Sequence, residues 1–559
     1  MVLSVQVMIQ EKLKEMIQET LRELGIEAGD IHLEHPTEFV HGDFATNVAM
    51  SVAKKAKTNP KALAEQIVAK INESKDKDIE KVEVAGPGFI NIHLSPAFFA
   101  DSVKKIVDQG DVWGKNDAFV GKKVMVEYTD PNPFKEFHIG HLMSNAIGES
   151  IARLIVFGGA EVKRSNWQGD VGPHVAKAIW GKMQKPELKW GEAYTYGAEH
   201  YEERKEEING INERVYAKSD PTVNELYEEG RASSLAHFEE LYKILGTSFD
   251  YYFFEGKEGL LGKPIVEEFL KKGIFEESDG AVIFKGEQHG LHTRVFVTSR
   301  GLPTYEAKEL GLNKVKFERE PDLDLSIIVT ANEQTDYFRV LLKVIELIFP
   351  IIAAKTKHIA HGVMKLASGK MSSRKGNVIT GESLISDVRA LAREKVREGN
   401  RAQDNTEALA EAIAVAAIKY SILRQGTGRD IVFDFEQSLS FEGDSGPYLQ
   451  YTHARAKSIL RKAGERGTVS TKENRDVGEV ERLLYRFSEV TARAAKEYEP
   501  HYVTTYLTEL AGAFNTFYAK ERILDAGEDA PYRLLLTQAV ATTLKNGLHL
   551  LGIKAPEVM

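Results

Sequence analysis

Two short stretches of the chain carry the residue types of phosphate chemistry. The first is His138-Ile139-Gly140-His141, two imidazoles around a glycine. The second is Lys370-Met371-Ser372-Ser373-Arg374-Lys375-Gly376-Asn377, about 230 residues further on. It sets three cations, two hydroxyls and a glycine within eight residues, a composition suited to a phosphate-binding loop. Each has a plainer reading when taken alone. The first would pass for a surface turn with two histidines, the second for a solvated basic turn.

The flanking pattern gives the first stretch a setting. Val124, Val126 and Tyr128 alternate with less apolar neighbours, as in a strand. Pro131 and Pro133 stop regular structure. Ile147, Ile151, Leu154 and Ile155 then recur at helical spacing. A strand–loop–helix unit sets a helix N-terminus beside the strand end. Its free N–H groups and positive dipole end attract anions, so the pair of histidines stands where a triphosphate would sit.

The 559 residues predict three or four domains. Residues 1–110 read as a small α/β module, with helices near 5–25 and Pro60–Ile71 and strands near Val82–Val84 and Phe89–Leu94. Residues 118–385 alternate strands (Lys122–Tyr128, Glu161–Asn166, Ser326–Thr330, His358–His361) with helices, which implies a doubly wound parallel sheet. Residues 186–296 interrupt the alternation. The charge run Glu202-Glu203-Arg204-Lys205-Glu206-Glu207 marks them as a solvent-facing helical insertion. Residues 386–444 read as a connecting helical region, and 445–559 as a helical bundle with segments Val480–Tyr498, His501–Ile523 and Tyr532–Leu551.

Composition narrows the class. An apolar share of 42% and a charged share of 28% are those of an ordinary soluble protein. No run approaches the 18 or so apolar residues of a membrane span. Gln10, Glu11, Lys12 and Lys14 break up the N-terminus, so no export signal is read there and a cytoplasmic location is expected. With no cysteine, disulfides and thiolate zinc sites are excluded. The net charge of −10 speaks against a polyanion partner, but binding depends on local patches. One lies at Lys54, Lys55, Lys57 and Lys61. Another, between His453 and Arg466, holds Arg455, Lys457, Arg461 and Lys462.

In this order and at this separation, the two opening stretches resemble the HIGH and KMSKS signatures of class I aminoacyl-tRNA synthetases. The words around them resemble the arginyl family: VEYTDPNP (Val126–Pro133), NWQGDVG (Asn166–Gly172), GPYLQYTHAR (Gly446–Arg455), LLGIKAPEVM (Leu550–Met559), HGDFATNVAM (His41–Met50) and GPGFIN (Gly86–Asn91). The resemblance covers nearly the whole chain. It implies an α/β fold: a class I, Rossmann-like nucleotide-binding core with a parallel sheet. A small α/β N-terminal domain touching tRNA and an all-α anticodon-binding bundle would flank it.

The same resemblance implies a reaction: arginine is activated with ATP, as its Mg²⁺ complex, to arginyl-adenylate, then esterified to tRNA(Arg). The attacking carboxylate is already a nucleophile, so catalysis needs positioning and charge stabilisation rather than a covalent residue. By resemblance His138, Gly140, His141, Lys370, Met371 and Ser372 bind ATP. The fourth position of the lysine signature is Ser373 instead of lysine, which leaves Lys375, Arg374 or Lys135 as the cation reaching the α-phosphate. Glu127, Asn132, Tyr305, Glu309 and Gln334 would bind arginine, with Glu309 standing where the family usually has Asp. A carboxylate suits a guanidinium because it accepts the donor fork in pairs. Asp170, between two glycines, reads equally as a pocket acid or as a support. Tyr448, Gln450, Tyr451, Arg455 and Tyr518 interleave aromatic and polar groups, as single-stranded RNA contacts do. Partners expected are tRNA(Arg), arginine and ATP, with no membrane and a monomeric chain.

Overall fold

Helix α1 (Ile9–Glu23) buries Leu13, Ile17 and Leu21, a stripe repeating every four residues, against a three-stranded antiparallel sheet. That sheet has the order β1 (Phe44–Thr46), β3 (Phe89–Leu94), β2 (Ile79–Ala85). Between β1 and β2 runs α2 (Pro60–Glu73), and α3 (Pro96–Gln109) follows β3. Each of these two helices opens on a proline after a capping side chain, Asn59 or Ser95. The computed structural model describes residues 9–27, 29–367, 380–398, 406–464 and 476–559.

The central sheet is parallel and five-stranded, in the order β11-β10-β4-β5-β6. Its members are β4 (Lys123–Glu127), β5 (Glu161–Gln168), β6 (Tyr251–Phe254), β10 (Leu325–Ala331) and β11 (Thr356–His361). Between β4 and β5 lies α4 (Ile139–Phe157), whose Ile147, Ile151 and Leu154 pack in the main core with Val124, Val126 and Tyr128. From β4 the chain steps outward to β5 and β6. It then returns to the other side of β4 for β10 and β11. The order therefore reverses between β4 and β10, the place where open sheets of this kind bind ligands beyond their strand ends.

The four expected core strands are present, and the structure adds a fifth. Helix α5 (Pro173–Gln184) precedes the segment read as a helical insertion, which does contain α6 (Trp190–Glu199), α7 (Lys205–Ala217) and α8 (Pro221–Leu245). It then returns to the sheet as β6 and continues into an antiparallel trio, β7 (Glu276–Ser278), β8 (Ala281–Phe284) and β9 (Arg294–Val297). The aromatic run Tyr251-Tyr252-Phe253-Phe254 is too short for periodicity to reveal, and only its ladder with β5 makes it a strand. Helices α9 (Tyr305–Arg319) and α10 (Thr335–Ile348) complete this part.

The rest of the described chain is mostly helical: α11 (Gly381–Glu398), α12 (Thr406–Leu423), α13 (Gly446–Ala463), α14 (Glu479–Leu484), α15 (Phe487–Glu497), α16 (His501–Lys520) and α17 (Ala530–Leu550). Helix α11 runs across the expected boundary at 385. Strand β13 (Ile431–Phe433) pairs back with β12 (Met364–Leu366), so the connecting region is knitted to the core. The single helix expected over Val480–Tyr498 is two, because the chain between them delivers Tyr485 into the core of the N-terminal module. Buried Asp43 meets Arg482, and His35 meets Glu489 at 2.9 Å, across the same junction.

Helix α4 lies close on the chain after β4 at Gly148, where a Cβ would sit 2.3 Å from Cβ of Tyr128. Alanine elsewhere in a helix gains about 1 kcal/mol over glycine. Here overpacking of about 1–3 kcal/mol opposes it, so Gly148→Ala is expected to lower the urea midpoint. A raised midpoint would mean that Tyr128 yields without cost.

Candidate functional site

The loop from Tyr128 to Phe134 is built under strain. Thr129 (φ 79°), Asp130 (φ 47°) and Phe134 (φ 70°) all occupy the left-handed region, which costs a non-glycine residue about 1–3 kcal/mol. The surroundings hold each of them. Thr129 N–H donates to Ser144 Oγ (2.9 Å), and Asn145 Nδ2 donates to Thr129 Oγ1 (2.9 Å). Trp167 N–H donates to Asp130 Oδ1 (2.7 Å), and Phe134 N–H to Ser234 Oγ (2.9 Å). Residues from α4, β5 and α8 thus fix one seven-residue path.

That path delivers His138 to the mouth of α4. His138 is the N-cap, extended at φ −88° and ψ 170°, and the two histidines cap each other. His141 N–H donates to His138 Nδ1 (3.4 Å), and His138 N–H donates to His141 Nδ1 (3.2 Å). The rings stack with centroids 3.4 Å apart. Burial, and then Lys135, lowers the pKa of His138; burial and then His138 lower that of His141 well below the usual value. Both rings are neutral. Because each Nδ1 accepts from a backbone N–H, each proton sits on Nε2. The helix mouth therefore presents two ring N–H donors, with Gly140 between them in the first turn.

Lys370, Met371, Ser372, Ser373, Arg374 and Lys375 lie outside the described residues. The chain just past them does not. Thr380 forms a bridge with His138, and Gly381 N–H donates to Phe137 O (2.8 Å). The downstream flank of the lysine stretch is thereby fastened to the histidine mouth.

Beyond the C-terminal ends of β4 and β5 lies a set of buried charges. Glu127, 1% exposed, is ion-paired at 2.7 Å to Lys316, which is 0% exposed. Glu127, expected to bind arginine, thus has a lysine on α9 at its Oε2. Glu255, just past β6, is paired with Lys308 at 2.6 Å, and both are buried. Asn132 lies beside them: a Cβ on Gly169 would be 2.3 Å from Asn132 Oδ1 and 3.2 Å from Glu255 Oε1. Each lysine thus has its own acid. Among the described residues, no cation lies within ion-pair distance of Glu309 or Asp130. Burial and then Glu127 push Glu309 up to about 8, with Lys316 opposing. Burial and then Glu127 push Asp130 well above the carboxylate range as well.

The other expected residues divide. Tyr305 opens α9, one helical turn before Glu309, and is 54% exposed. Its hydroxyl pKa is nonetheless raised, first by burial and then by Glu255, and Lys308 Nζ lies 5.3 Å from its ring centroid. Gln334 is exposed in the turn Asn332–Gln334 after β10. Lys135 is half-buried, with Nζ 5.2 Å over the Tyr194 ring. Asp170 is a support: it accepts from Tyr227 OH (3.0 Å), Arg231 Nε (2.9 Å) and Gly256 N–H (2.7 Å). Three members of the charged set escaped the sequence reading: Glu255, Lys308 and Lys316. Lys316 had a signal, since it stands seven residues, two helical turns, after Glu309 on the same face. Glu255 had none, hidden in a stretch read as insertion.

The aromatic group splits as well. Tyr448, Tyr451 and Arg455 line a cavity of about 550 Å³ with Phe441, Asn515 and Met559. The Arg455 guanidinium lies 4.7 Å from the Tyr451 ring centroid and 5.2 Å from that of Tyr518, and it donates to Asn515 Oδ1. Asn515 Nδ2 donates in turn to Tyr448 OH (3.0 Å). Gln450 does not belong with them. It is 0% exposed on the opposite face of α13, its Nε2 donating to Ala412 O (3.2 Å) and Lys554 O (2.8 Å). Its role is bracing; one-residue proximity in sequence put it on the wrong side of a helix.

Comparison with known proteins bears on all three parts. Residues 102–435 match the family model "tRNA synthetases class I (R), catalytic domain", 449–559 the "DALR anticodon binding domain" and 9–94 the "Arginyl tRNA synthetase N terminal domain". The arginine–tRNA ligase of Clostridium perfringens is 32% identical over 98% of this chain and 100% of that protein. That of Halothermothrix orenii is 31% identical over 98% and 99%. The arginyl-tRNA synthetase structure from Thermus thermophilus superimposes with a TM-score of 0.81 and 25% identity, covering 99% of this chain and all 100% of that one.

The buried pair gives a direct test. Removing one partner of a buried ion pair leaves an uncompensated charge and costs about 3–5 kcal/mol. Lys316→Met is expected to lose stability of that order in urea unfolding, and Lys316→Met with Glu127→Gln to regain part of it. Equal loss in the single and double variants would show that the two groups are not coupled.

Proposed function

The chain belongs to the arginyl-tRNA synthetase family, and from that premise we propose that it esterifies L-arginine to the 3′-terminal adenosine of tRNA(Arg) at the expense of ATP. In the first step a carboxylate oxygen of arginine attacks the α-phosphorus. The bond from that phosphorus to the bridging oxygen of the β-phosphate breaks, and pyrophosphate leaves. In the second step a ribose hydroxyl, by family resemblance the 2′, attacks the carbonyl carbon, and AMP leaves. We assign His138 and His141 as Nε2–H donors to phosphate oxygens, aided by the positive end of α4. Mg²⁺ would enter bound to the nucleotide's phosphates. Bringing two reactants together in one strand–loop–helix unit is itself worth about 7–11 kcal/mol.

The observation that carries the reading of substrate is Glu309. A buried carboxyl without a cation is costly, and a guanidinium supplies a permanent charge with a planar donor fork. A lysine substrate would bring only a point charge. Tyr305 and Asn132 are assigned to the same ligand, Asn132 to its α-amino or carboxylate end. Gln334 is assigned to the rim. The cavity of Tyr448, Tyr451 and Arg455, with Tyr518 on the guanidinium of Arg455, is assigned to a base of the tRNA loop, since aromatic faces and a guanidinium stack bases. No described helix is long and apolar enough to cross a membrane. A monomer working in the cytoplasm is the simplest setting.

Arginine-dependent ATP–pyrophosphate exchange, with and without tRNA, tests the reaction. Exchange driven by lysine and not arginine would overturn it. His141→Ala is expected to lose exchange and keep tRNA affinity; loss of both would make the helix mouth structural. The pH dependence has a definite sign. Below about 8 Glu309 is protonated in the free protein, while the guanidinium stays charged, so binding must release a proton. The arginine KM is expected to fall as pH rises from 6.5 to 8 and then to level, and Glu309→Gln should flatten that slope. Tyr451→Ala is expected to weaken tRNA by about 1–3 kcal/mol, read as KM for tRNA, with the arginine KM unchanged. An unchanged KM for tRNA would remove the cavity from the interface.

A further inference from the structure

Two cations from different helices meet the same pair of helix ends. Arg153, on α4, uses its whole fork. Nε donates to Glu149 Oε1 (2.7 Å), Nη2 to Gly246 O (2.9 Å) and Nη1 to His549 O (2.9 Å). Lys419, on α12 and 0% exposed, donates Nζ to Leu245 O (2.6 Å) and Gly552 O (3.0 Å). Leu245 and Gly246 are the last residue and the C-cap of α8; His549 and Gly552 lie at the end of α17. The last four carbonyls of a helix have no partner within it and carry the negative end of the dipole. Two such ends converge here, and Arg153 and Lys419 are shared between them. Burial pushes the Lys419 ammonium down to about 7. A cavity of about 290 Å³, lined in part by Arg153, Gly246, His549 and Lys554, lies alongside. The junction thus combines these directed bonds with the core packing of Leu245, Leu550 and Leu551.

The junction has two outlets. Along α4, whose Ser150 Oγ also donates to Leu550 O (2.9 Å), it leads to His138 and His141 at the other end. In the other direction, the last residues of the chain run as a strap along α13. Lys554 O accepts from Gln450, Pro556 O lies 2.9 Å from His453 Nδ1, and Glu557 pairs with Lys457 at 3.0 Å. Met559 then lines the cavity of Tyr448, Tyr451 and Arg455. One hydrogen-bonded path thus joins the base cavity to the helix of the nucleotide site.

We propose that Arg153 and Lys419 are positioning residues for the reaction: they carry occupancy of the base cavity, through the terminal strap, to α4 and so to the histidines at its mouth. The inference rests on the reading of the protein as an arginyl-tRNA synthetase. A helix moves as a unit, and misplacing catalytic groups by about 1 Å can cost roughly a hundredfold in rate. The link would therefore appear in kcat and leave substrate affinity alone.

The test uses the full chain and tRNA(Arg). Exchange and aminoacylation are measured for the unmodified protein, Lys419→Met, Arg153→Gln, Arg153→Lys and a variant with two glycines inserted between Lys554 and Ala555. Absence of arginine-dependent turnover in the unmodified protein would sink the functional reading itself, separately from the link. Lys419→Met and Arg153→Gln are expected to lower kcat tenfold or more, with KM for arginine and for tRNA within about twofold. Arg153→Lys, which keeps charge but not the fork, should recover part of the loss. The glycine insertion lies in the exposed strap and should cut stimulation of exchange at least threefold when tRNA is saturating, a condition that removes any change in tRNA affinity from displacing Met559. Unchanged kcat overturns the proposal. So does a fall in kcat that tracks thermal midpoint and tRNA KM, as plain loss of packing would. If the two charge variants do not fold, the insertion decides: full stimulation by tRNA overturns the link.

Discussion

A carboxylate in a protein interior must find a cation, accept several donors or take up a proton. Five carboxylates beyond the ends of β4 to β6 and on α9 face this choice. Glu127 and Glu255 solve it with Lys316 and Lys308. Asp170, close by, solves it with Arg231, a tyrosine and a backbone N–H. Glu309 and Asp130 take up protons instead. Under the proposed function this pattern would suit a large organic cation: a fixed frame of neutralised pairs around acids that have no cation of their own among the described residues. The two lysines screen the acids that frame the site, so that a single ligand charge is enough to complete it.

The strained loop is the second half of that design. Three non-glycine residues with positive φ make a sharp path from the end of β4 to the start of α4. The path brings acids and histidines, anchored on different elements, within one small volume. The cost of the strain is met by hydrogen bonds from Ser144, Asn145, Trp167 and Ser234, each on an element that packs independently in the core. The mutual capping of His138 and His141 then settles which ring nitrogen carries the proton. A backbone detail of helix geometry thereby decides which ring N–H groups the helix mouth presents.

Much of this was legible in the residues. The alternation of β4, the prolines and the period of α4 placed the histidines at a helix mouth, as found. Asn132, Glu309 and Tyr305 all lie near Glu255, and Tyr448, Tyr451 and Arg455 line one cavity, with Tyr518 beside the guanidinium of Arg455. Other readings failed for identifiable reasons. Gln450 sits one residue from Tyr451, but neighbours on a helix point about 100° apart, and that angle sends it to the interior. Strand β6 is four residues long, below the length at which a pattern declares itself. Glu255 rides on it and was missed with it.

Local order along the chain therefore determined the elements, their sequence and the chemical types at their ends, because periodicity and turn residues act over a few positions. Partnership was decided only in three dimensions. Nothing in the spacing of Glu127 and Lys316, 189 residues apart, says that they pair. Nor does it say that Glu309 is left over. Charges buried in a low-dielectric interior are assigned to one another by distances of a few ångströms, and those exist only once β4, β6 and α9 have packed. The histidine stretch was a plausible phosphate site in sequence; its bridge to Thr380 and its mutual capping come from the fold.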